Sequence, residues 1–284
     1  MTDLARLPPH GARFTDPDHD DYSLLFDLLG ETLPSGMTAK VREWDGHAEA
    51  ALIRAGKSQG PASVDHYVRF LLGVIETLNG ERPSEAAILD LDDGDVRAIK
   101  IRARYATHSE STQVRFNWDC APPTMQEGNC CGHRGSPPLP TGVDASTYAF
   151  NVDSVDLMAL PFRPLVERKA FVLPRSKLSA AFFPNTLRRQ KEYLARHQVN
   201  RSDADGVDTE ALFIARGVQL DGKAVKAKDL AALKGDDRSA LRREILKWGG
   251  VDSRAVVTCR GCRRVLHTPV EAIPGFFFPE TEGE

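Results

Sequence analysis

The chain has 284 residues, of which 41% are hydrophobic and 27% are charged, and this globular composition excludes wholesale disorder. Its formal net charge of -3 leaves no surplus of positive charge to hold a nucleic-acid backbone, so nucleic acid is not the expected partner. The apolar runs are too short for a membrane span and the first residues lack the apolar run of a signal peptide, so we expect a cytoplasmic protein without a membrane partner.

The first 120 residues predict an arm followed by a folded unit. Residues 1–22 are rich in proline, aspartate and histidine and lack hydrophobic periodicity, which is typical of a flexible arm. Residues 23–120 have the pattern of a first α+β unit, with apolar residues at helical spacing from Val64 to Thr77. Apolar residues then alternate with polar ones from Val114 to Trp118, which predicts a half-buried strand.

Four aspartates cluster in this first unit, at Asp90, Asp92, Asp93 and Asp95. Their spacing lacks the distal glutamate that a calcium-binding hand requires, so a calcium loop is not expected. Acidic residues favour the first turn of a helix because of the helix dipole. We therefore interpret the cluster as the solvated start of a helix.

The rest of the chain predicts a linker and a second unit. Residues 121–147 are dense in proline, glycine and serine, which indicates a long surface loop or linker. Within residues 148–284, the stretch from Asn185 to His197 is a strongly basic helix, more typical of a solvated face than of a partner-docking face. A further helix is expected from Asp236 to Trp248, followed by a strand that runs through Val256–Val257 into a cysteine.

The two units repeat the same order of patterns. Gly80 aligns with Gly222, which lies 142 residues later. Without a gap, the same offset pairs Leu78 with Leu220, Ile88 with Leu230, Leu91 with Leu233, Asp95 with Asp237, Ile99 with Leu241, Val114 with Val256, and Cys120 with Cys262. Leu33-Pro34 matches Leu173-Pro174 only with a two-residue slip. We interpret this as duplication of one α+β unit, the alternative being chance agreement between two helices that each precede a strand.

The strongest local motif is Cys259-Arg260-Gly261-Cys262, which follows a predicted strand and carries a glycine at its turn. This arrangement is typical of a zinc-binding hairpin, here near the C-terminus. One CxxC motif supplies two of the four ligands of a tetrahedral site, and Cys130 and His133 offer two more at the same spacing. The sequence therefore predicts a structural Zn²⁺ site of Cys130, His133, Cys259 and Cys262.

Other interpretations of the cysteines remain open. Cys120 and Cys131 compete with Cys130 as ligands, and His267 is a further local option. Cys259 and Cys262 can also be small buried side chains of a hairpin that binds no metal. A redox dithiol is disfavoured because no helical pattern follows the motif.

Catalytic motifs are absent from the sequence: it has no phosphate-binding loop of P-loop spacing, no GxSxG motif and no HExxH motif. We therefore expect no enzyme, no catalytic residues and no small-molecule substrate. Near its end the sequence has three consecutive phenylalanines, Phe276–Phe278. They predict either a docking tail, which packs on a neighbouring subunit or on the chain's own other half, or an edge strand that closes the second unit.

Several short motifs carry a resemblance to a known family. In the first half these are Leu33-Pro34-Ser35-Gly36, Val41-Arg42, Arg102 and Arg104, and the strand that ends at Cys120. In the second half they are Leu220-Asp221-Gly222, the Asp236–Trp248 helix, the CxxC motif and Phe276–Pro279. The chain resembles the T4-like baseplate hub proteins and baseplate hub assembly chaperones of contractile-tailed phages and related contractile injection systems. It departs from a fully repeated CxxC pattern at Asn117, which stands where a second motif would place its first cysteine.

The resemblance implies a non-enzymatic protein that helps to build the baseplate hub, as a structural component or as a chaperone of virion assembly. Its partners would be baseplate hub and tail-tube proteins. It would act in the cytoplasm of the host or producing cell and can be retained in the virion or tail-like particle. The alternative is a zinc-containing nucleic-acid-associated protein that uses the CxxC hairpin and the basic helix around Arg188–Lys191.

Overall fold

The computed structural model describes residues 24–108, 112–117, 152–165, 170–197, 218–225, 229–230, 232–246, 249–258, 265–269 and 276–277. Over these residues the fold mixes helices with small sheets, so it belongs to the α+β class that the sequence predicts. The predicted linker at 121–147 lies outside the described residues.

The described helices are α1 (Gly46–Lys57), α2 (Pro61–Val74), α3 (Glu85–Leu89), α4 (Asp93–Thr107), α5 (Leu187–His197) and α6 (Gly235–Leu246). The described strands are β1 (Leu24–Leu25), β2 (Ala39–Val41), β3 (Ile75–Leu78), β4 (Gln113–Asn117), β5 (Val152–Asp156), β6 (Pro161–Arg163), β7 (Phe171–Val172), β8 (Ser179–Phe182), β9 (Val218–Leu220), β10 (Lys223–Ala224), β11 (Gly250–Val251), β12 (Arg254–Thr258) and β13 (Val265–Pro269). None of the described helices combines the length and apolar composition that crossing a bilayer requires.

The chain forms two compact units, and each unit takes segments from both halves of the sequence. We call one the helical unit; it comprises residues 29–107 and 162–251. We call the other the strand unit; it comprises residues 1–28, 108–161 and 252–284. The chain therefore leaves and re-enters each unit, which no local sequence pattern indicates.

In the first half of the helical unit, α1 and α2 pack tightly on each other. Asp45 precedes α1, and its carboxylate accepts hydrogen bonds from the backbone N–H groups of His47 and Ala48, at 3.0 and 2.9 Å. A Cβ atom at Gly73 of α2 would lie 2.8 Å from the Cβ of Ala48. Glycine at this position therefore lets α2 approach α1 closely.

The predicted helix from Val64 to Thr77 is correct only as far as Val74. The next residues form β3, which pairs antiparallel with β2 and places Ala39 opposite Leu78. Ile75 and Thr77 are β-branched and favour extended backbone. The prediction of a longer helix was wrong because the partner strand, from a distant part of the sequence, supplies the hydrogen bonds.

The second half of the helical unit contains an antiparallel sheet in the order β10-β9-β8-β7. This sheet, α5 and α6 enclose a core of Leu173, Ala180, Phe182, Tyr193, Val218, Val225, Leu230, Ala240 and Leu241. The predicted basic helix is confirmed as α5, and the helix predicted from Asp236 is confirmed as α6.

The same turn occurs at corresponding positions of both halves. Asn79–Gly80 follows β3 with φ angles of 52° and 81°, and Asp221–Gly222 follows β9 with φ angles of 48° and 74°. The N–H of Thr38 donates to Asn79 Oδ1 at 2.9 Å, and the N–H of Ser179 donates to Asp221 Oδ1 at 2.8 Å. The two turns therefore share their backbone shape and their side-chain hydrogen bond.

The segments before α4 and α6 also match. The N–H of Leu91 donates to the carbonyl of Ile88 at 3.2 Å, and the N–H of Leu233 donates to that of Leu230 at 3.1 Å. Later in the two helices, the corresponding side chains of Ile99 and Leu241 are both fully buried.

The strand unit contains two antiparallel strand pairs. In the first pair, Gln113 of β4 lies opposite Asp156 of β5; in the second, Thr258 of β12 lies opposite Val265 of β13. The strands predicted at Val114 and Val256 are thus confirmed. The strand unit also buries Phe26, Leu28, Val114, Leu157, Leu160, Phe276 and Phe277.

The first two phenylalanines of the tail belong to the protein's own fold. The rings of Phe276 and Phe277 meet edge to face with centroids 4.7 Å apart, and both are buried. The carbonyl of Phe277 lies 3.2 Å from Nε2 of His108. Both side chains are therefore buried within the chain, and the contact of Phe277 with His108 agrees with a tail that packs on the chain's own other half. Neither residue forms the alternative edge strand.

Candidate functional site

The predicted zinc ligands lie outside the described residues, as do their competitors: Cys120, Cys130, Cys131, His133, Cys259 and Cys262. The structure does describe the strands to which they are attached. β4 ends at Asn117, and β5 resumes at Val152 after the segment with the first three cysteines. β12 ends at Thr258, immediately before the CxxC motif, and β13 resumes at Val265.

The two cysteine-containing connections are attached to neighbouring strands, because β12 contacts β5 within the strand unit. His267 lies in β13 with its backbone opposite Val256. Among the described residues alone, no three histidine, cysteine, aspartate or glutamate side chains form a group suited to a metal. The zinc site stays a prediction.

The most developed polar feature of the described residues is a set of buried carboxylates that bind backbone N–H groups. Asp237 of α6 is fully buried. Its Oδ1 accepts the N–H of Arg175 at 2.7 Å, and its Oδ2 accepts the N–H of Ser176 at 2.9 Å. Burial raises the pKa of Asp237, but these bonds and a side-chain bond from Ser176 outweigh it and hold the pKa below its usual value. The charged carboxylate fixes the loop between β7 and β8.

Asp95 of α4 occupies the corresponding position, 142 residues earlier, and is also fully buried. Its Oδ1 accepts the N–H of Ser35 at 2.9 Å, whereas Oδ2 has no partner among the described residues. Burial therefore outweighs the bonds from Ser35 and raises the pKa of Asp95 above its usual value. The two halves fix their loops in the same way but with carboxyls of different acidity.

A third buried carboxylate connects the two halves of the helical unit. Asp92 accepts the N–H of Gly94 at 2.8 Å through Oδ1 and the N–H of Asn185 at 3.1 Å through Oδ2. Burial and the neighbouring charges of Asp93 and Asp95 raise the pKa of Asp92 to about 6. A second contact joins the same segments, since the N–H of Asp93 donates to the carbonyl of Asn185 at 3.2 Å.

The predicted solvated start of α4 is therefore wrong for Asp92 and Asp95, whose exposed fractions are 6% and 0%. The physical reason is long-range: N–H groups of Ser35 and Asn185 need acceptors, and these two side chains provide them. The alignment of Asp95 with Asp237 is the one sequence signal that pointed to a shared role.

The basic face of α5 is occupied largely by contacts within the chain. Arg188 binds Asp90 through two nitrogens, at 2.6 and 3.0 Å. Lys191 binds Asp65 of α2 at 2.5 Å. Partly exposed pairs of this kind contribute little to stability, because water screens their charges. Arg188 and Lys191 are nevertheless paired with acidic side chains, and these are two of the cations with which α5 would bind nucleic acid.

A small cleft lies where α2, α3 and α5 meet. Its volume is about 230 Å³, and its lining consists of Asp65, Val68, Arg69, Leu72, Glu85 and Lys191. Two acidic, two basic and two apolar side chains line the cleft, so their formal charges cancel.

The buried aspartates Asp92, Asp95 and Asp237 thus hold loops in place by binding backbone N–H groups of distant segments. No protein-family model, curated protein or solved structure matches this chain.

Proposed function

We propose that this protein is a non-enzymatic component of a phage-tail-like contractile machine, in which it binds other baseplate proteins as part of the hub or as its assembly chaperone. The supporting observation is the geometry of the segments that carry the family resemblance. Leu33 is buried, whereas Ser35 and Gly36 are exposed, and Asp95 fixes the loop through the N–H of Ser35. The loop at 173–178 is fixed by Asp237 in the same manner.

Loops held by buried carboxylates suit partner binding. A loop that is already ordered loses less conformational entropy when a partner binds it. A chaperone that binds the unassembled partner lowers its free concentration and thus its self-association by mass action. Both forms of the proposal, permanent component and transient chaperone, use this same property.

The proposal includes a duplication of one α+β unit. Its support is the recurrence of the Asn79–Gly80 turn at Asp221–Gly222 and of the Asp95 bond at Asp237. The two-residue slip in the sequence alignment also has a structural counterpart. The loop closed by Leu33 N–H and Met37 O spans one residue fewer than the loop closed by Leu173 N–H and Leu178 O. The second inserted residue falls between that loop and Asp221.

Copurification tests the function. Tagged protein is expressed together with its whole neighbouring gene cluster, and bound proteins are identified by mass spectrometry, with an unrelated tagged protein of equal size as control. We expect baseplate or tail proteins to be enriched over the control. Enrichment of metabolic enzymes alone contradicts the proposal. Strong, salt-sensitive retardation of DNA in a mobility-shift assay would instead support the nucleic-acid alternative.

We also propose that this protein carries one structural zinc, held by Cys130, His133, Cys259 and Cys262. The support is that both cysteine-containing connections are attached to neighbouring strands, β5 and β12. Four ligands of this kind complete a tetrahedral site. The metal would stabilise the strand unit because it binds only the folded chain.

Elemental analysis checks this prediction. We expect about one zinc per chain, lost on Cys259→Ser or Cys262→Ser, since each change removes a thiolate ligand. Cys131→Ser is the matched control, and it keeps the metal if Cys130 is the ligand. Purified wild-type protein that is free of metal and still fully folded would rule the site out.

A further inference from the structure

One end of the β10-β9-β8-β7 sheet carries four exposed cationic side chains, which we call the basic end: Arg175, Lys177, Lys223 and Lys234. None of the four forms an ion pair with a described residue. By contrast, Lys40 binds Glu76 at 3.0 Å, and other cations of the helical unit bind acids in the same way. The basic end is thus a part of the described surface where four cations gather without forming ion pairs with described residues.

Hydrogen bonds bring these four positions together. Arg175 and Lys177 lie in the loop between β7 and β8, which Asp237 of α6 binds through two N–H groups. Lys234 immediately precedes α6, and Lys223 begins β10 after the turn at Asp221–Gly222. That turn is joined to the start of β8, because the N–H of Ser179 donates to Asp221 Oδ1.

Two acidic side chains lie near the basic end without neutralising it. These are Asp221 and Asp236, which are exposed, so two exposed acids face four exposed cations. Asp237 is buried, both of its oxygens accept backbone N–H groups of the loop between β7 and β8, and the charge of Arg175 helps to lower its pKa. Even when Asp237 is counted with the two exposed acids, four cations exceed three acids. The solvent-facing charge at this end is therefore positive, in a chain whose formal net charge is -3.

The first half of the chain shows that this charge is not required by the fold. Gly36 corresponds to Lys177: both have positive φ, at 87° and 62°, and both donate an N–H to the preceding leucine, Leu33 or Leu173. The other three cations correspond to Ser35, Glu81 and Asp92 in the first half. In this alignment, corresponding positions thus carry neutral or acidic residues in one half and basic residues in the other.

We propose that the basic end docks an acidic segment of a partner protein. Gathered like charges repel one another, and an anionic partner relieves that repulsion while its negative charge speeds association. A protein segment fits better than nucleic acid. The protein's net charge of -3 would repel those phosphates of a nucleic acid that extend past the basic end. This docking site would serve the partner-binding function proposed above. The inference rests on that function only for the identity of the partner.

Fluorescence anisotropy with a labelled peptide of about twelve glutamates tests the proposal at low salt, where screening is weak. The variant is Arg175→Glu/Lys223→Glu/Lys234→Glu; Lys177 is left unchanged because of its positive φ. The control is Arg54→Glu/Lys57→Glu/Arg82→Glu, which makes the same charge change at exposed positions of the first half. Circular dichroism verifies that both variants fold.

We expect the wild type to bind the peptide and the basic-end variant to lose about tenfold or more in affinity, with the control within about threefold of wild type. Absence of binding by the wild type, or equal losses in both variants, would overturn the proposal. So would tighter binding of a single-stranded DNA of equal length that the basic-end variant abolishes. Since no baseplate protein is present, these results are separate from the copurification outcome.

Discussion

Replacing Gly249 with alanine is expected to lower the free energy of unfolding by about 3 kcal/mol or more. Gly249 has a φ of 83°, a conformation that costs an L-residue energy, and its position is also crowded. A Cβ atom there would collide with the carbonyl oxygen of Pro164 and lie 2.9 Å from its carbonyl carbon. Both are backbone atoms of the segment that leads out of β6, so the collision cannot be relieved by a side-chain rotation.

Chemical denaturation monitored by circular dichroism measures this effect, with Gly36→Ala as the matched control. Gly36 has nearly the same φ, 87°, but no atom lies within 4 Å of its added Cβ. The control therefore reports the backbone strain alone, about 1 kcal/mol. If the two variants lose equal stability, the close approach of Gly249 to Pro164 is not a property of the folded protein.

The second large effect is expected for Asp237→Asn, which should lower the free energy of unfolding by about 2 kcal/mol at neutral pH. Both carboxylate oxygens accept backbone N–H groups, of Arg175 and Ser176. An asparagine keeps one acceptor oxygen and turns an NH₂ group toward the other N–H donor. One buried donor is thus left without an acceptor, and the loop between β7 and β8 is released.

Asp95→Asn is the matched control, and we expect a change of less than about 1 kcal/mol. Only one oxygen of Asp95 accepts a backbone N–H, that of Ser35, and burial already raises the pKa of this carboxyl. The amide can keep that bond while it removes a poorly solvated charge. Equal losses for the Asp95 and Asp237 variants would contradict the difference between the two loops.

The pH dependence of the Asp237→Asn effect has a definite sign. The pKa of Asp237 lies below its usual 3.8 in the folded protein, so the stability that its charge contributes is present above pH 3.8. This contribution disappears as the pH falls through the folded pKa. The difference between wild type and variant should therefore shrink in strongly acidic buffer, which denaturation curves at several pH values can measure.

Much of the secondary structure follows from local sequence patterns. The strand at Val114, the helices α5 and α6 and the start of α4 lie where local sequence patterns predict them. Hydrophobic spacing, helix capping and the charge of helix ends depend only on near neighbours. The Asn79–Gly80 and Asp221–Gly222 turns are equally local, since asparagine, aspartate and glycine tolerate positive φ. The α+β class is therefore predictable from the sequence.

Tertiary contacts decided what spacing could not. From the sequence, Asp92 and Asp95 look like solvent-facing residues at a helix start. In the fold both are buried, and they accept hydrogen bonds from the N–H groups of Asn185 and Ser35. Helix α2 ends at Val74 because the residues that follow form β3, which pairs with β2. The charge of the basic end appears only when two loops and the start of α6 meet. In each case the deciding partner lies tens of residues away, and a hydrogen bond, a close packing or a gathered charge exists only once folding brings the two segments together.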